Sequence, residues 1–195
     1  MKTKEVLLLL TENWADWEVS HAISGINPVD DYVVKTIAVD QLPKASIGGL
    51  RTEVDYTIED YDNFDHLAMV ILAGGFSWNE THNDIADFLK KIVNQGIPVS
   101  AICGTTLFLA RHGFLNQVKH TGDSWEYFEE HLKDEAGYTG KENFVSAQVV
   151  VDNGFITANE TASVEFAYEI FKVLKLFDDE DLAMWYDYFK NGMFR

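Results

Sequence analysis

Apolar or β-rich runs alternate with helical patterns along the chain, and this alternation narrows the folds open to it. The runs predict strands at residues 6–10, 32–39, 66–73 and 98–103. Helical spacing of apolar residues follows at residues 13–26, 83–93 and 105–112. Uninterrupted apolar runs are typical of strands covered on both faces, and strand–helix alternation favours parallel strands joined by crossover helices. The sequence therefore predicts a doubly wound α/β fold, with a mostly parallel sheet and helices on both of its faces.

The rest of the pattern predicts two hairpins and three further helices. Turns are expected at residues 47–50 and at Asn153-Gly154, because an asparagine–glycine pair favours a two-residue hairpin turn. The helices are expected at residues 124–132, 160–176 and 182–189. Asn159 is a natural cap for the second of them. The acidic residues 178–181 are interpreted as a helix start rather than a calcium site, because no glycine-bearing acidic loop follows them.

Length and charge limit the domain count and the partners. The chain has 195 residues, 47% of them hydrophobic, which suits one domain across residues 1–195 with a core of its own. Asp and Glu number 32 against 15 Lys and Arg, so the formal net charge is −17. Such a charge repels the phosphate backbone of nucleic acids and the surface of an anionic membrane. Neither is expected as a partner.

The lengths of the apolar runs and the number of cysteines indicate in which cellular compartment the protein is expected. No run approaches the roughly 20 residues of a membrane helix, and the run at residues 6–10 is shorter than a signal-peptide core. The single cysteine, Cys103, cannot form an internal disulfide, which suits a reducing environment. We therefore expect a cytoplasmic protein in which Cys103 is either a packed core residue or a reactive thiol.

Cys103 lies where a predicted buried strand meets the helix that follows, which is the setting of a nucleophile elbow. Such a turn strains the backbone and needs small neighbours, a requirement that Ala101 meets well and Thr105 less well. The helix N-terminus is expected to lower the pKa of the thiol. Free cysteines more often pack as small hydrophobic residues, but ligands bind at strand ends in open parallel sheets. The position of Cys103 therefore favours a reactive thiol.

Other residues at the same predicted sheet edge are candidates for a pocket around Cys103. Gly74 and Gly75 end a strand, and the N–H of Gly75 with that of Gly104 would form an oxyanion hole, although a tight turn explains these glycines equally well. Glu18 follows the first strand. Burial beside a thiolate would raise the pKa of its carboxyl group and let it donate a hydrogen bond to sulfur, the alternative being a surface carboxylate.

His120 and Asp123 follow the elbow in a loop that should return to this edge. His120 is a candidate general base, and the competing interpretation is a histidine in a solvated loop. Asp123 either reaches the pocket or caps the short helix after it. The other histidines have no spacing suited to a metal, so the sequence predicts no metal site and no cofactor.

These motifs together resemble the ThiJ/PfpI group of class I glutamine-amidotransferase-like proteins, which includes intracellular proteases, glyoxalases or deglycases, and redox-stress proteins. The similarity extends from Glu5 to about Leu176, with the motifs in the family's order. The matching motifs are Asp16-Trp17-Glu18, Ala73-Gly74-Gly75, Ala101-Ile102-Cys103-Gly104-Thr105-Thr106 with Leu109-Ala110, His120-Thr121 before Trp125-Glu126-Tyr127, and Asp152 with Gly154-Phe155-Ile156-Thr157-Ala158.

The resemblance implies a flavodoxin-like fold and a set of site residues. It implies Cys103 as nucleophile, Glu18 as its acidic partner, and Gly75 with Gly104 as amide donors. We expect the pocket to include Gly74, Thr105, Thr121 and Asp123. The family also has a histidine directly after the cysteine or further downstream. Here Gly104 occupies the first place, and Thr121 lies nearer than His120 to the second.

Two functions follow from the resemblance, and a third is simpler. The first is a cysteine-dependent hydrolase acting on a small amide, a peptide or a carbonyl adduct. The alternative is a non-catalytic redox or stress sensor, in which protonated Glu18 holds an oxidised Cys103. The third is a binding module that keeps the elbow as an inherited scaffold. The resemblance also implies a small-molecule or peptide substrate and a homodimer or higher homo-oligomer.

Overall fold

The computed structural model describes residues 3–80 and 82–193. Its strands are β1 (Lys4–Leu9), β2 (Tyr32–Ala38), β3 (Lys44–Ala45), β4 (Arg51–Thr52), β5 (Tyr56–Thr57), β6 (Leu67–Leu72), β7 (Val99–Ile102), β8 (Val149–Asp152) and β9 (Phe155–Ala158). Its α-helices are α1 (Asp16–Ile26), α2 (Asn83–Asn94), α3 (Gly104–Arg111), α4 (Trp125–Leu132), α5 (Ser163–Leu174) and α6 (Asp179–Asn191). None of the described helices is both long and apolar enough to cross a membrane.

The central sheet has seven strands in the order β5-β2-β1-β6-β7-β9-β8. Every pairing in it is parallel except that of β8 with β9. Successive side chains of β1 point into two different cores, one on each face of the sheet. Leu7 and Leu9 pack with α2, α3 and α4, whereas Val6 and Leu8 pack with α1, α5 and α6. The predicted doubly wound α/β fold is confirmed, because each run is covered by helices on both faces.

The local predictions were right about type and less accurate about bounds. The pair β3 and β4 is antiparallel, and Asn153 and Gly154 turn between β8 and β9 with φ angles of 43° and 85°. The last helix begins earlier than its apolar pattern, because the Asp178 side chain accepts hydrogen bonds from two backbone N–H groups of the first turn of α6. Asn159 does not cap α5; its side chain accepts bonds from Thr161 instead.

The topology brings functional candidates to one edge of the sheet. Four strands lie side by side and parallel, in the order β1, β6, β7 and β9, so their carboxyl ends meet. The residues that follow these ends are Glu18 in α1, Gly74 and Gly75 after β6, Cys103 after β7, and Glu160 after β9. Ligands bind at this edge in open α/β sheets.

Candidate functional site

Cys103 occupies a strained turn between β7 and α3. Its φ and ψ are 60° and −134°, a region that residues with a side chain rarely adopt. The turn is held on both sides: the Cys103 N–H donates to the Ala158 carbonyl at 3.0 Å, and its carbonyl accepts from the Thr106 N–H at 2.9 Å. The thiol is half-buried. This is the geometry of a nucleophile elbow, with the side chain fixed at the carboxyl end of a central strand.

Thr105, which we expected to line the pocket, is instead buried beneath the elbow and stabilises it through backbone hydrogen bonds. It is fully buried, and its hydroxyl accepts from the Ile102 N–H at 2.8 Å and donates to the Ile102 carbonyl at 2.7 Å. A buried threonine that satisfies both of these backbone groups joins the end of β7 to the first turn of α3.

Glu18 is fully buried against the elbow. Its carboxyl group contacts the Cys103 thiol and the Gly74 N–H, but neither oxygen reaches the distance and angle of a full hydrogen bond. Gly74 has to be glycine here, since a Cβ would lie 2.1 Å from Oε2 of Glu18 and 2.9 Å from the Cys103 Cβ. Burial raises the pKa of Glu18 to about 8, and the charges of Asp123 and Glu160 add to this effect. Glu18 is therefore a proton carrier near neutral pH.

The thiol itself differs from the sequence-based expectation. The pKa of Cys103 is raised, first by burial and then by the negative charges of Glu18 and Asp123, while the Gly104 N–H opposes the rise. The amide at the start of α3 thus acts in the expected direction, but burial beside carboxyl groups outweighs it. Cys103 and Glu18 form a coupled pair, and the ionisation of each depends on the proton of the other.

Asp123 does not cap α4; its carboxyl group lies beside the Cys103 thiol. Ser124 caps α4, because its hydroxyl accepts from the Tyr127 N–H at 3.1 Å. The Asp123 carboxyl group instead lies within hydrogen-bonding reach of Cys103 and of Glu160, both its backbone N–H and its side chain. Burial raises the pKa of Asp123, and the neighbouring Glu160 carboxyl raises it further.

A cavity of about 390 Å³ opens beside Asp123. Its walls come from the loop before α4, the start of α4, the segment before β8 and the residue after β9. They include Thr121, Asp123, Trp125, Phe144, Gln148 and Asn159. Thr121 is held there by its own bonds, since its N–H donates to the Thr157 hydroxyl at 2.9 Å and its hydroxyl donates to the Ala147 carbonyl at 2.8 Å. Polar and apolar atoms line the cavity in about equal measure, with aromatic rings on part of its wall.

Gly75 and Gly104 provide the backbone around the thiol. Gly75 has a φ of 137°, and a Cβ there would lie 2.3 Å from the Asn13 carbonyl oxygen. The backbone hydrogen bonds around Gly75 are made by its neighbours, Gly74 and Phe76. Among residues 3–80 and 82–193 the Gly75 N–H has no backbone acceptor. The Gly104 N–H contacts the thiol. Both amides are available to an oxygen bound at the elbow.

His120 is not placed as a base for Cys103. It is fully buried; Nδ1 donates to the Val118 carbonyl at 2.8 Å, and Nε2 lies 2.9 Å from the Tyr138 hydroxyl. Burial lowers the pKa of His120, so the ring is neutral and accepts from the tyrosine. With both ring nitrogens occupied, His120 stabilises its own loop and cannot take the thiol proton.

Glu160 is the residue that sequence reasoning missed. It comes two residues after the end of β9, so the rule that strand ends meet at one sheet edge could have identified it. The pattern instead assigned residue 160 to the start of a helix, which begins only at Ser163. In the described part of the chain no group of three or more His, Cys, Asp or Glu side chains is arranged to hold a metal ion.

Comparison with known proteins shows which family and solved structures the chain resembles. The model of the DJ-1/PfpI family matches residues 4–173. The uncharacterized protease YdeA of Bacillus subtilis is 36% identical over 180 residues, which cover 92% of this chain and 87% of that protein. The uncharacterized protease YoaZ of the same organism is 29% identical over 194 residues, covering 95% and 90%. The crystal structure of a thiJ/pfpI family protein from Bacillus anthracis superposes with a TM-score of 0.90 at 28% identity, covering 99% of this chain and 93% of that one.

Proposed function

This chain belongs to the DJ-1/PfpI family, and on that premise we propose that it is a cysteine-dependent hydrolase of amides, peptides or related carbonyl adducts, with Cys103 as the nucleophile. The names of the two Bacillus subtilis relatives point to proteolysis. A fold alone does not fix an activity, so the proposal has to stand on the site.

The observation that carries the proposal is the contact between Cys103 on its elbow and the buried carboxyl group of Glu18. A thiol attacks as the thiolate, so it needs a neighbouring group that takes its proton. The pKa of Glu18 is about 8, close to the working pH of most enzymes, which is the range in which a carboxyl group exchanges protons efficiently. Glu18 therefore fills the place that a histidine has in other cysteine hydrolases.

The backbone around the thiol supports the next step. Attack of sulfur on a carbonyl carbon moves negative charge onto the carbonyl oxygen. The Gly104 N–H contacts sulfur, and a Cβ on Gly104 would lie 3.4 Å from the Gly75 carbonyl oxygen, so the two glycines are neighbours at the elbow. These two amides are proposed to bind the oxyanion, and the cavity beside Asp123 is proposed to hold the rest of a small-molecule or peptide substrate.

Acyl transfer to Cys103 tests this proposal directly. We expect p-nitrophenyl acetate to release a burst of one equivalent of p-nitrophenolate while one acetyl group is added to the protein. Cys103 is the only cysteine, so Cys103→Ala should abolish both signals. Glu142→Gln, which changes an exposed carboxyl group, is the matched control and should keep them. A wild-type protein that is not acylated, or a Cys103→Ala variant that is acylated equally, would contradict the proposal.

Redox sensing is the second candidate, and one observation favours it. Below pH 8 Glu18 carries a proton beside a half-exposed thiol, and neither carboxyl oxygen has a full hydrogen bond. Each molecule of hydrogen peroxide that oxidises the sulfur transfers one oxygen atom and leaves as water, and protonated Glu18 can donate to the resulting sulfinate. Stoichiometric oxidation that Glu18→Gln weakens, without acylation by the ester, would favour this function over hydrolysis.

The remaining expectations stay predictions. Self-association as a homodimer or larger assembly is checked by sedimentation of the purified protein. Location in the cytoplasm is checked by cell fractionation with an antibody against the chain.

A further inference from the structure

Asp123 stands between the thiol and the cavity. It belongs to the cavity wall, and its carboxyl group also lies within hydrogen-bonding reach of Cys103. Its Oδ1 atom is buried and has no hydrogen-bond partner. A buried carboxyl oxygen without a partner is costly unless a ligand or a proton satisfies it. The group is therefore placed to meet whatever leaves the carbonyl carbon after attack by Cys103.

Glu160 supports Asp123 from the far side. Its side chain and its backbone N–H both lie within reach of the Asp123 carboxyl group. The contact and charge of the Glu160 carboxyl add to burial in raising the pKa of Asp123, so Asp123 keeps its proton to a higher pH than an ordinary aspartate. Glu18 faces the same thiol; it is fully buried, and neither of its oxygens has a full hydrogen bond.

We propose that Asp123, paired with Glu160, is the catalytic acid that protonates the leaving group, while Glu18 handles only the proton of the thiol. This inference rests on the proposed hydrolase function and adds a second proton-transfer site to it. The two carboxyl groups then have separate tasks, which explains how the site works although His120 is bonded elsewhere.

The steps balance with water as the only co-reactant. The Cys103 thiol gives its proton to the Glu18 carboxylate as the S–C bond forms, and the C=O electron pair moves to the oxygen held by the amides. When the C=O bond re-forms, the bond to the leaving nitrogen or oxygen breaks, and that atom takes the proton of Asp123. A water molecule then attacks the thioester and gives one proton to the Asp123 carboxylate. The departing sulfur recovers its proton from Glu18.

Several titratable groups of the described residues lie around Asp123. The groups whose charges couple to its carboxyl are Glu160, Cys103, Glu18 and Tyr127. The pKa of Asp123 is raised to about 7, so this acid is partly protonated at neutral pH. General acids of this kind contribute on the order of 10²–10⁴-fold to the rate.

Two esters with the same acyl group separate the role of Asp123 from that of Cys103. Phenyl acetate and p-nitrophenyl acetate both deliver an acetyl group, but phenolate is the more basic leaving group and needs protonation more. We expect Asp123→Asn to slow acylation of Cys103 by phenyl acetate about 100-fold or more and to change acylation by p-nitrophenyl acetate only several-fold. Glu160→Gln should shift the alkaline limb of the pH profile for phenyl acetate, and Asp123→Glu should restore part of the rate.

The outcomes distinguish the acid role of Asp123 from the proposed hydrolase function. If the wild-type protein is acylated by neither ester, the hydrolase proposal fails and this inference fails with it. If the wild-type protein is acylated but Asp123→Asn slows both esters equally, or neither, the acid role is overturned and the hydrolase proposal stands. Glu130→Gln, on the exposed side of α4, is the control and should match the wild type with both esters. Urea unfolding of each variant confirms that it is folded.

Discussion

Replacing Glu18 with glutamine should remove a large pH dependence from the stability of the protein. The carboxyl group has an ordinary pKa of 4.5, and its pKa in the folded protein is about 8. A raised pKa in an acid means that the folded state binds more protons than the unfolded state between these two values. The contribution of Glu18 to stability is therefore complete below about pH 4.5 and is lost as the pH rises to about 8.

The magnitude follows from this interval. Each pH unit between 4.5 and 8 changes the free energy of unfolding by about 1.4 kcal/mol, which amounts to about 5 kcal/mol over the whole interval. Glu18 is fully buried, so solvent screening does not reduce this figure substantially. Glutamine keeps the size of the side chain but has no titrating group. The stability of the wild-type protein relative to Glu18→Gln should thus fall steadily between pH 5 and pH 8.

Urea unfolding at half-unit pH steps, followed by tryptophan fluorescence, measures this difference. Taking the difference between the two proteins cancels the titrating groups that do not interact with Glu18. Glu142→Gln serves as the control, since its exposed carboxyl group should give a curve parallel to the wild type. Wild-type and Glu18→Gln curves that stay parallel from pH 5 to pH 8 would refute the reasoning that burial holds a proton on Glu18.

Three further substitutions test other parts of the site. Tyr138→Phe removes the hydrogen-bond partner of His120 Nε2. It should lower the free energy of unfolding by about 1 kcal/mol in urea and leave ester acylation unchanged. A large loss of acylation would mean that His120 takes part in catalysis. Thr105→Val leaves a buried backbone N–H without its acceptor and should lower stability by about 1–3 kcal/mol, a loss that an intact urea midpoint would contradict. Gly75→Ala forces a Cβ into a backbone with a φ of 137°; acylation should fall sharply, and an unchanged rate would remove this amide from the oxyanion site.

The fold could be predicted because its evidence is local. Each strand is an apolar run, each helix has its own spacing, and turns such as Asn153-Gly154 depend on neighbouring residues only. The position of Cys103 between β7 and α3 is local in the same sense. Glu18 and Gly75 also follow strand ends, so the topology alone brings them towards the thiol.

The electrostatics of the site could not be predicted in the same way. The pKa of Cys103 depends on the balance between burial, which raises it, and the amide at the start of α3, which lowers it, and only the packed structure gives that balance. Side-chain partners are equally non-local. His120 is bonded to Tyr138, and Thr105 faces the strand instead of the pocket, because of rotamers that the sequence pattern does not contain.

The central claim is that Cys103 and Glu18 act as one proton-sharing pair, and the rate of Cys103 alkylation by iodoacetamide against pH tests it most directly. The chain has a single cysteine, so the modified mass reports this thiol alone. For the wild-type protein we predict a rate that rises with an inflection near pH 8, where Glu18 loses its proton, and for Glu18→Gln the loss of that inflection. Identical profiles for the two proteins would contradict the coupling on which the proposed chemistry depends.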